Sequence, residues 1–139
     1  MRPGPASLPT ARLRAALASA AWLLLAACAQ APPAPVGLLD VSARPAEKAL
    51  LDGLKAYDDA QYESAERQFR QALALGLASP RDRAEAHKRL AFLHCAVGRL
   101  VECEAEFRLA RQADHRFTLS PSEAGHPVWG PVYRKVVPN

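Results

Sequence analysis

The chain has 139 residues, with 18 Lys and Arg against 14 Asp and Glu, a formal charge of +4, and half of its residues hydrophobic. That length supports one small domain rather than several. The positive balance is no argument for nucleic-acid binding. Arg2, Arg12 and Arg14 lie in an N-terminal stretch without acidic residues, and beyond residue 27 the remaining 112 residues carry 15 basic against 14 acidic side chains.

After those arginines, residues 15–27 are uncharged and apolar, with Trp22, Leu23, Leu24 and Leu25 at the centre. This run is shorter than the roughly 20 residues a membrane-spanning helix needs. It suits the apolar region of a secretory signal peptide, here residues 1–27. The run ends Leu25-Ala26-Ala27-Cys28. That ending resembles the bacterial lipobox, in which a small residue precedes a cysteine that is acylated, with palmitate as an expected chain, and becomes the new N-terminus. The other reading is an ordinary small-residue cleavage site beside a cysteine. Ala29 follows the cysteine where Asp would signal retention in the inner membrane. By the same resemblance the sequence implies a lipid anchor on the periplasmic face of the outer membrane.

Residues 28–44 contain Pro32, Pro33 and Pro35 and little to bury, and read as a Pro/Ala-rich tether. From Pro45 the pattern turns helical. Leu50, Leu54 and Tyr57 recur at helical spacing, as do Ala65, Phe69, Ala72 and Leu73, with a polar break over residues 58–61. These predict a first helical hairpin over residues 45–77. A second over residues 80–116 starts with Ser79 as cap, Pro80 at the first helical position and Asp82 in the first turn. Leu90, Leu93 and Val97 share one side of its first helix, Gly98 ends that helix, and Cys103, Phe107 and Ala110 mark the next.

The hairpins match each other. Gly53, Ala60, Tyr62, Ala65, Phe69 and Ala72 align with Ala91, Gly98, Leu100, Cys103, Phe107 and Ala110 at a constant offset of 38. This pattern resembles the tetratricopeptide repeat, in which small residues let paired helices approach and a large one fills the gap beside them. The family period is 34, so the extra residues fall in the connection over residues 76–83. The second copy departs by carrying Cys103 in place of alanine and by lacking the proline after its last helix. The sequence therefore predicts an all-α fold of two tetratricopeptide-like hairpins, and so short a stack needs an end cap.

In the repeat geometry Cys95 falls in the last turn of one helix and Cys103 in the first turn of the next, facing each other. With Cys28 lipidated, they form an even pair in an oxidising compartment and are disulfide candidates. The alternative is two buried thiols packed as small hydrophobes. No zinc site is expected, since His94 beside Cys95 has no second ligand pair at metal spacing.

Residues 117–139 do not repeat the hairpin. Ser120-Pro121-Ser122-Glu123 is a capping box, stopped by Gly125-His126-Pro127. Val128, Trp129, Val132, Tyr133 and Val136 then follow helical spacing, with Pro131 near a helix start. This reads as a capping helix on the second hairpin, or alternatively as a partner-docking element. The run from Phe117 through Pro121, Glu123, Gly125-His126-Pro127, Trp129-Gly130-Pro131 and Tyr133, following a repeat with Cys95 and Cys103, resembles accessory tetratricopeptide lipoproteins of bacterial type VI secretion clusters. The resemblance covers residues 46–136.

It implies a scaffolding role at an envelope-spanning machine and no enzymatic activity. The residues themselves show no Gly-rich phosphate loop and no catalytic triad context, and His87, His94, His115 and His126 are scattered. No cofactor, metal, nucleic acid or small-molecule substrate is expected. Glu63 with Arg67, Glu66 with Arg70, Glu85 with Arg89 and Glu104 with Arg108 are expected to pair along exposed helix faces. In the repeat family the first helices form a concave surface, which implies Leu50, Leu54, Tyr57, Lys88 and Phe92 as partner-contacting residues, with Trp129 and Tyr133 on the C-terminal segment. That segment either covers this surface or leaves it open. Protein partners in the envelope are expected, and recruitment of peptidoglycan enzymes is the second functional reading.

Overall fold

The computed structural model of the chain describes residues 44–137. The signal peptide, Cys28 and all of the tether but Arg44 lie outside them. Among the described residues the architecture is all-helical: α1 (Pro45–Asp58), α2 (Tyr62–Leu75), α3 (Pro80–Ala96), α4 (Leu100–Ala113), a single turn α5 (Pro121–Ala124) and α6 (Gly130–Val136).

Helix α1 packs along α2, and α3 along α4. Three-residue turns join each pair, so the helices run antiparallel. The two turns are the same turn. Gln61 N–H donates to Ala56 O at 2.8 Å and Arg99 N–H to His94 O at 2.9 Å; Ala60 N–H donates to Tyr57 O and Gly98 N–H to Cys95 O, both at 3.1 Å. Each bond recurs at the offset of 38 read from the sequence. Ala60 and Gly98 both have left-handed backbones, with φ of 58° and 78°. Glycine adopts this conformation freely, whereas alanine is strained in it.

Local signals hold the other boundaries. The Ser79 hydroxyl accepts from Asp82 N–H at 3.2 Å, and Gly76 closes α2 in the left-handed region. The Arg83 guanidinium donates to the carbonyls of Leu77 and Ala78 at 2.7 and 2.9 Å, tying down the link between hairpins. Ser120 and Glu123 form the expected reciprocal capping box.

The core is two clusters joined by α3. Phe69 centres the first with Ala65, Ala72, Ala49 and Leu50, closed by Ala86, Leu90 and Leu93 from α3. Phe107 centres the second with Cys103, Ala110 and, from the other side of α3, Ala91, Phe92 and Cys95. Helix α3 is thus buried on two faces, which erases the one-sided pattern expected of it. Val97, placed by spacing with Leu90 and Leu93, instead caps the helix and is 66% exposed. Gly53 is required where α1 meets α2: a Cβ there would lie 2.8 Å from the Phe69 ring.

The Cys95 and Cys103 sulfurs are joined as a disulfide, at 2.13 Å, across the α3–α4 turn. The C-terminal segment covers the second cluster with Phe117, Leu119, Val132 and Tyr133, and the Tyr133 hydroxyl accepts from Leu119 N–H at 3.2 Å. Helix α6 starts at Gly130 with Pro131 in its first turn, so Val128 and Trp129 precede the helix rather than belonging to it. Gly130 lies so close to α5 that a Cβ would approach Ala124 O to 2.4 Å.

Candidate functional site: the groove between α1 and α3

Neighbouring hairpins meet mainly through α2 and α3. The first helices α1 and α3 stay apart, and their separation leaves a groove. At its N-terminal end a pocket of about 380 Å³ is lined by Leu50, Leu51 and Leu54 from α1 and by Asp82 and Glu85 from α3, with Arg44 and Glu47 at the edge. Leu51 is 49% exposed there. At its other end a smaller pocket of about 230 Å³ lies among Tyr57, Tyr62, Phe92, Leu93 and Trp129.

Between the pockets runs a chain of charges and rings. Arg89 bonds Glu85 at 2.7 Å and lies 5.0 Å over the Tyr57 ring. Burial works against its charge, but the Glu85 carboxylate outweighs burial and raises its pKa. Burial is likewise the largest influence on Tyr57 and raises its hydroxyl, with Arg89 opposing it. Lys88 bridges two carboxylates, Glu85 at 2.9 Å and Glu123 at 3.0 Å, with its own side chain only 12% exposed. Glu123 serves twice: one oxygen accepts from Ser120 N–H at 2.9 Å as part of the cap, and the other takes the Lys88 ammonium. Burial alone would raise the Glu123 pKa, but the Ser120 backbone N–H and the Lys88 ammonium outweigh it and hold it below the ordinary carboxylate range.

Trp129 closes this side. Its ring stacks on Phe92 at 4.3 Å and on His126 at 3.4 Å, and its indole N–H donates to Glu123 O at 2.9 Å. The C-terminal segment therefore seals the α3 side at Lys88 and Phe92 and becomes a wall of the groove, while the α1 side stays open.

No protein-family model, curated protein or solved structure matches this chain.

The residues expected to contact a partner divide by burial. Leu50, Phe92 and Tyr133 are buried at 6%, 3% and 7% exposure and belong to the packing. Leu54, Tyr57, Lys88 and Trp129 are half-buried and line the groove or its wall. Arg89, Glu85 and Leu51 complete it; Leu51 is three residues from Leu54 on α1, and Glu85 is three from Lys88 and four from Arg89 on α3, so helical spacing was the available signal. Glu123 and His126 enter only through tertiary contact, with Glu123 35 residues from Lys88.

Elsewhere, His87 Nδ1 and Glu106 pair at 2.6 Å between α3 and α4. Three of the four expected glutamate–arginine pairs form, at Glu66–Arg70, Glu85–Arg89 and Glu104–Arg108. The Glu63–Arg67 pair is not among the ion pairs of the described residues, while Lys48–Asp52 and Lys55–Asp59 are. Among the described residues no three His, Cys, Asp or Glu side chains gather as a metal site, and no helix is long and apolar enough to cross a membrane.

Proposed function

We propose that this chain is a non-enzymatic adaptor lipoprotein of the bacterial envelope, anchored through Cys28 in the outer membrane, whose groove between α1 and α3 holds a segment of a protein partner. The observation that carries the reading is the open α1 side of that groove, with exposed Leu51 above a leucine floor, beside an α3 side already sealed by Trp129. A shallow apolar trough between two helices suits a peptide or helix laid into it, anchored by apolar side chains. The duplicated turn and the internal alignment support a tetratricopeptide-type binding module. The C-terminal sequence pattern points to a type VI secretion complex as the setting. The lipobox supports the anchor and the compartment, and that compartment favours a standing Cys95–Cys103 disulfide.

The test is recovery of the native protein with its partners from solubilised membranes, compared with Leu51→Glu. Secretion components should accompany the native protein and be lost with the variant, whose exposed position spares the fold. Recovery of no secretion component refutes the setting; identical partners for both proteins refute the groove. For the anchor, Cys28→Ser should abolish palmitate labelling and release the protein from membranes, and retained labelling would refute it.

A further inference from the structure

The charges along α1 select what the open side of the groove can hold. Glu47, Leu51, Leu54 and Asp58 follow one another at steps of four, three and four residues, so they form one stripe along the helix. Leu51 is 49% exposed, and Leu54 lines the leucine pocket together with Glu47. The stripe is an apolar centre with a carboxylate at each end. Across the groove Asp82 and Glu85 add two more at the leucine end, where Arg44 is the cation lining the same pocket. Glu85 is met by Arg89 and Lys88. Glu47, Asp58 and Asp82 enter no ion pair of the described residues. Glu47 and Asp82 sit in first turns, where the helix dipole favours an acid. Asp58 lacks that support. It is the last residue of α1, where the negative end of a helix repels a carboxylate. Its neighbour Asp59 is balanced by Lys55 at 2.6 Å. A charge set against its local structure points to a functional surface.

We propose that the segment held in the groove is an amphipathic helix whose aliphatic centre is bracketed by Lys or Arg, laid along α1 so that its cations meet Glu47 and Asp58. This rests on the partner-binding reading and specifies the chemistry of the partner. Glu47 and Asp58 stand 11 residues apart on α1, about 16 Å at 1.5 Å per residue. A helix alongside matches that spacing residue for residue. It places two aliphatic side chains over Leu51 and Leu54, and a cation one turn beyond each. The same stripe disfavours a second copy of this chain. Paired in parallel, its α1 sets each carboxylate against its own counterpart. Paired antiparallel about the leucines, it sets Glu47 against Asp58. Like charges so placed repel.

The experiment selects peptides from a phage-displayed random library, long enough to span the stripe, on the full chain purified in detergent from its native membrane. Fluorescence anisotropy then gives the affinity of each peptide recovered. Peptides bound by the parent and lost on Leu51→Gln should share two aliphatic residues flanked by Lys or Arg. Glu47→Lys/Asp58→Lys should weaken them about tenfold, equivalent to some 1.4 kcal/mol shared between two exposed pairs. Exchanging the peptide's flanking cations for Glu should restore binding to that variant. Asp58→Lys alone suits the end of α1 better than the native residue, and should still weaken binding about threefold. Circular dichroism checks that each variant is folded. Leu51-dependent peptides without flanking cations, or with affinities unmoved by both charge reversals, overturn the inference and leave the groove as the binding surface. Recovery of no Leu51-dependent peptide refutes the groove reading itself, and this inference with it. A dimer in sedimentation that Leu51→Gln dissolves would assign the stripe to a second copy and overturns the inference too.

Discussion

Gly53→Ala sets two effects of opposite sign against each other at the α1–α2 crossing. In a helix interior alanine is favoured over glycine by about 1 kcal/mol. Against this, the added Cβ would stand 2.8 Å from both Cδ1 and Cε1 of Phe69, and 3.2 Å from the Gln68 Cβ. Comfortable carbon contacts lie near 3.5–4.0 Å. Phe69 is fully buried among Ala65, Ala72 and Leu90, so its ring has nowhere to withdraw and the helices must part. Overpacking of this kind costs about 1–3 kcal/mol. The clash wins, leaving a net loss of about 1 kcal/mol, or about 4–8 °C in Tm for a domain under 100 residues. Thermal unfolding followed by circular dichroism measures it. In a Phe69→Leu background the same change should cost little or become stabilising, giving a coupling of about 0.5–3 kcal/mol between the positions. A Gly53→Ala protein that melts higher than the parent, or a penalty unchanged by Phe69→Leu, refutes the reasoning.

The two turns offer a paired test: Ala60→Gly should stabilise by up to about 1 kcal/mol by relieving its left-handed alanine, and Gly98→Ala should destabilise by about as much, both read by chemical denaturation. Reduction of Cys95–Cys103, a crosslink over a separation of 8 residues, should lower stability by about 2.5 kcal/mol on the chain-entropy model. A melt unaffected by reductant would contradict this, and Cys95→Ala/Cys103→Ala should be insensitive to it. Lys88→Met leaves the Glu85 and Glu123 carboxylates without their shared cation. It should cost about 1–2 kcal/mol, less than a fully buried pair because both carboxylates reach solvent, and should expose residues 117–137 to protease. Because the folded pKa of Glu123 is depressed, its contribution is present above its ordinary value of 4.5 and is lost as pH falls through the folded value. The near-ultraviolet signal of the Trp129 stack should fade over that window, sooner in Lys88→Met. His94 is 1% exposed, its Nδ1 has no partner, and burial foremost lowers its pKa. The unfolded chain takes up a proton there from its ordinary value of 6.5 downward and the folded chain only at lower pH, so stability should decline as pH drops below the ordinary value. His94→Leu should flatten this slope, and a slope unchanged by it would refute the assignment.

What could be read from the sequence was what the backbone settles locally. Ser79-Pro80 and the Ser120–Glu123 box start helices through bonds within four residues, and Gly98 ends one by its own backbone freedom. The offset of 38 was visible because both turns need the same backbone. What stayed hidden depends on position in three dimensions. The two buried faces of α3 are built partly of Ala84, Ala86 and Ala91, and alanine suits a buried face and an exposed one equally. Trp129 fits helical spacing with Tyr133 yet sits in a turn, because Pro131 confines the helix to begin beside it. Glu66 fits an exposed ladder with Arg70 but also reaches Arg99 of the other hairpin at 3.1 Å, a contact spacing along one helix cannot show.

The internal repeat also explains where the open surface lies. Shifted by 38, Tyr57 and Ala65 of the first hairpin become Cys95 and Cys103 of the second. The first hairpin keeps an aromatic ring there, held by Arg89 at 5.0 Å and facing the groove. The second has a disulfide at the same place, and its ring sits one turn earlier at Phe92, under Trp129. The two hairpins thus differ in their physical roles. The second is crosslinked at its turn, capped by α5 and α6, and clamped through Lys88. The first has neither crosslink nor cap among the described residues, and α1 presents Leu51, Leu54 and Tyr57 to the groove. In the proposed partner-binding reading, the crosslinked second hairpin holds one wall of the groove while the first offers the other to a bound segment. Substitutions on α1 should therefore weaken a partner more than equally exposed substitutions on α4.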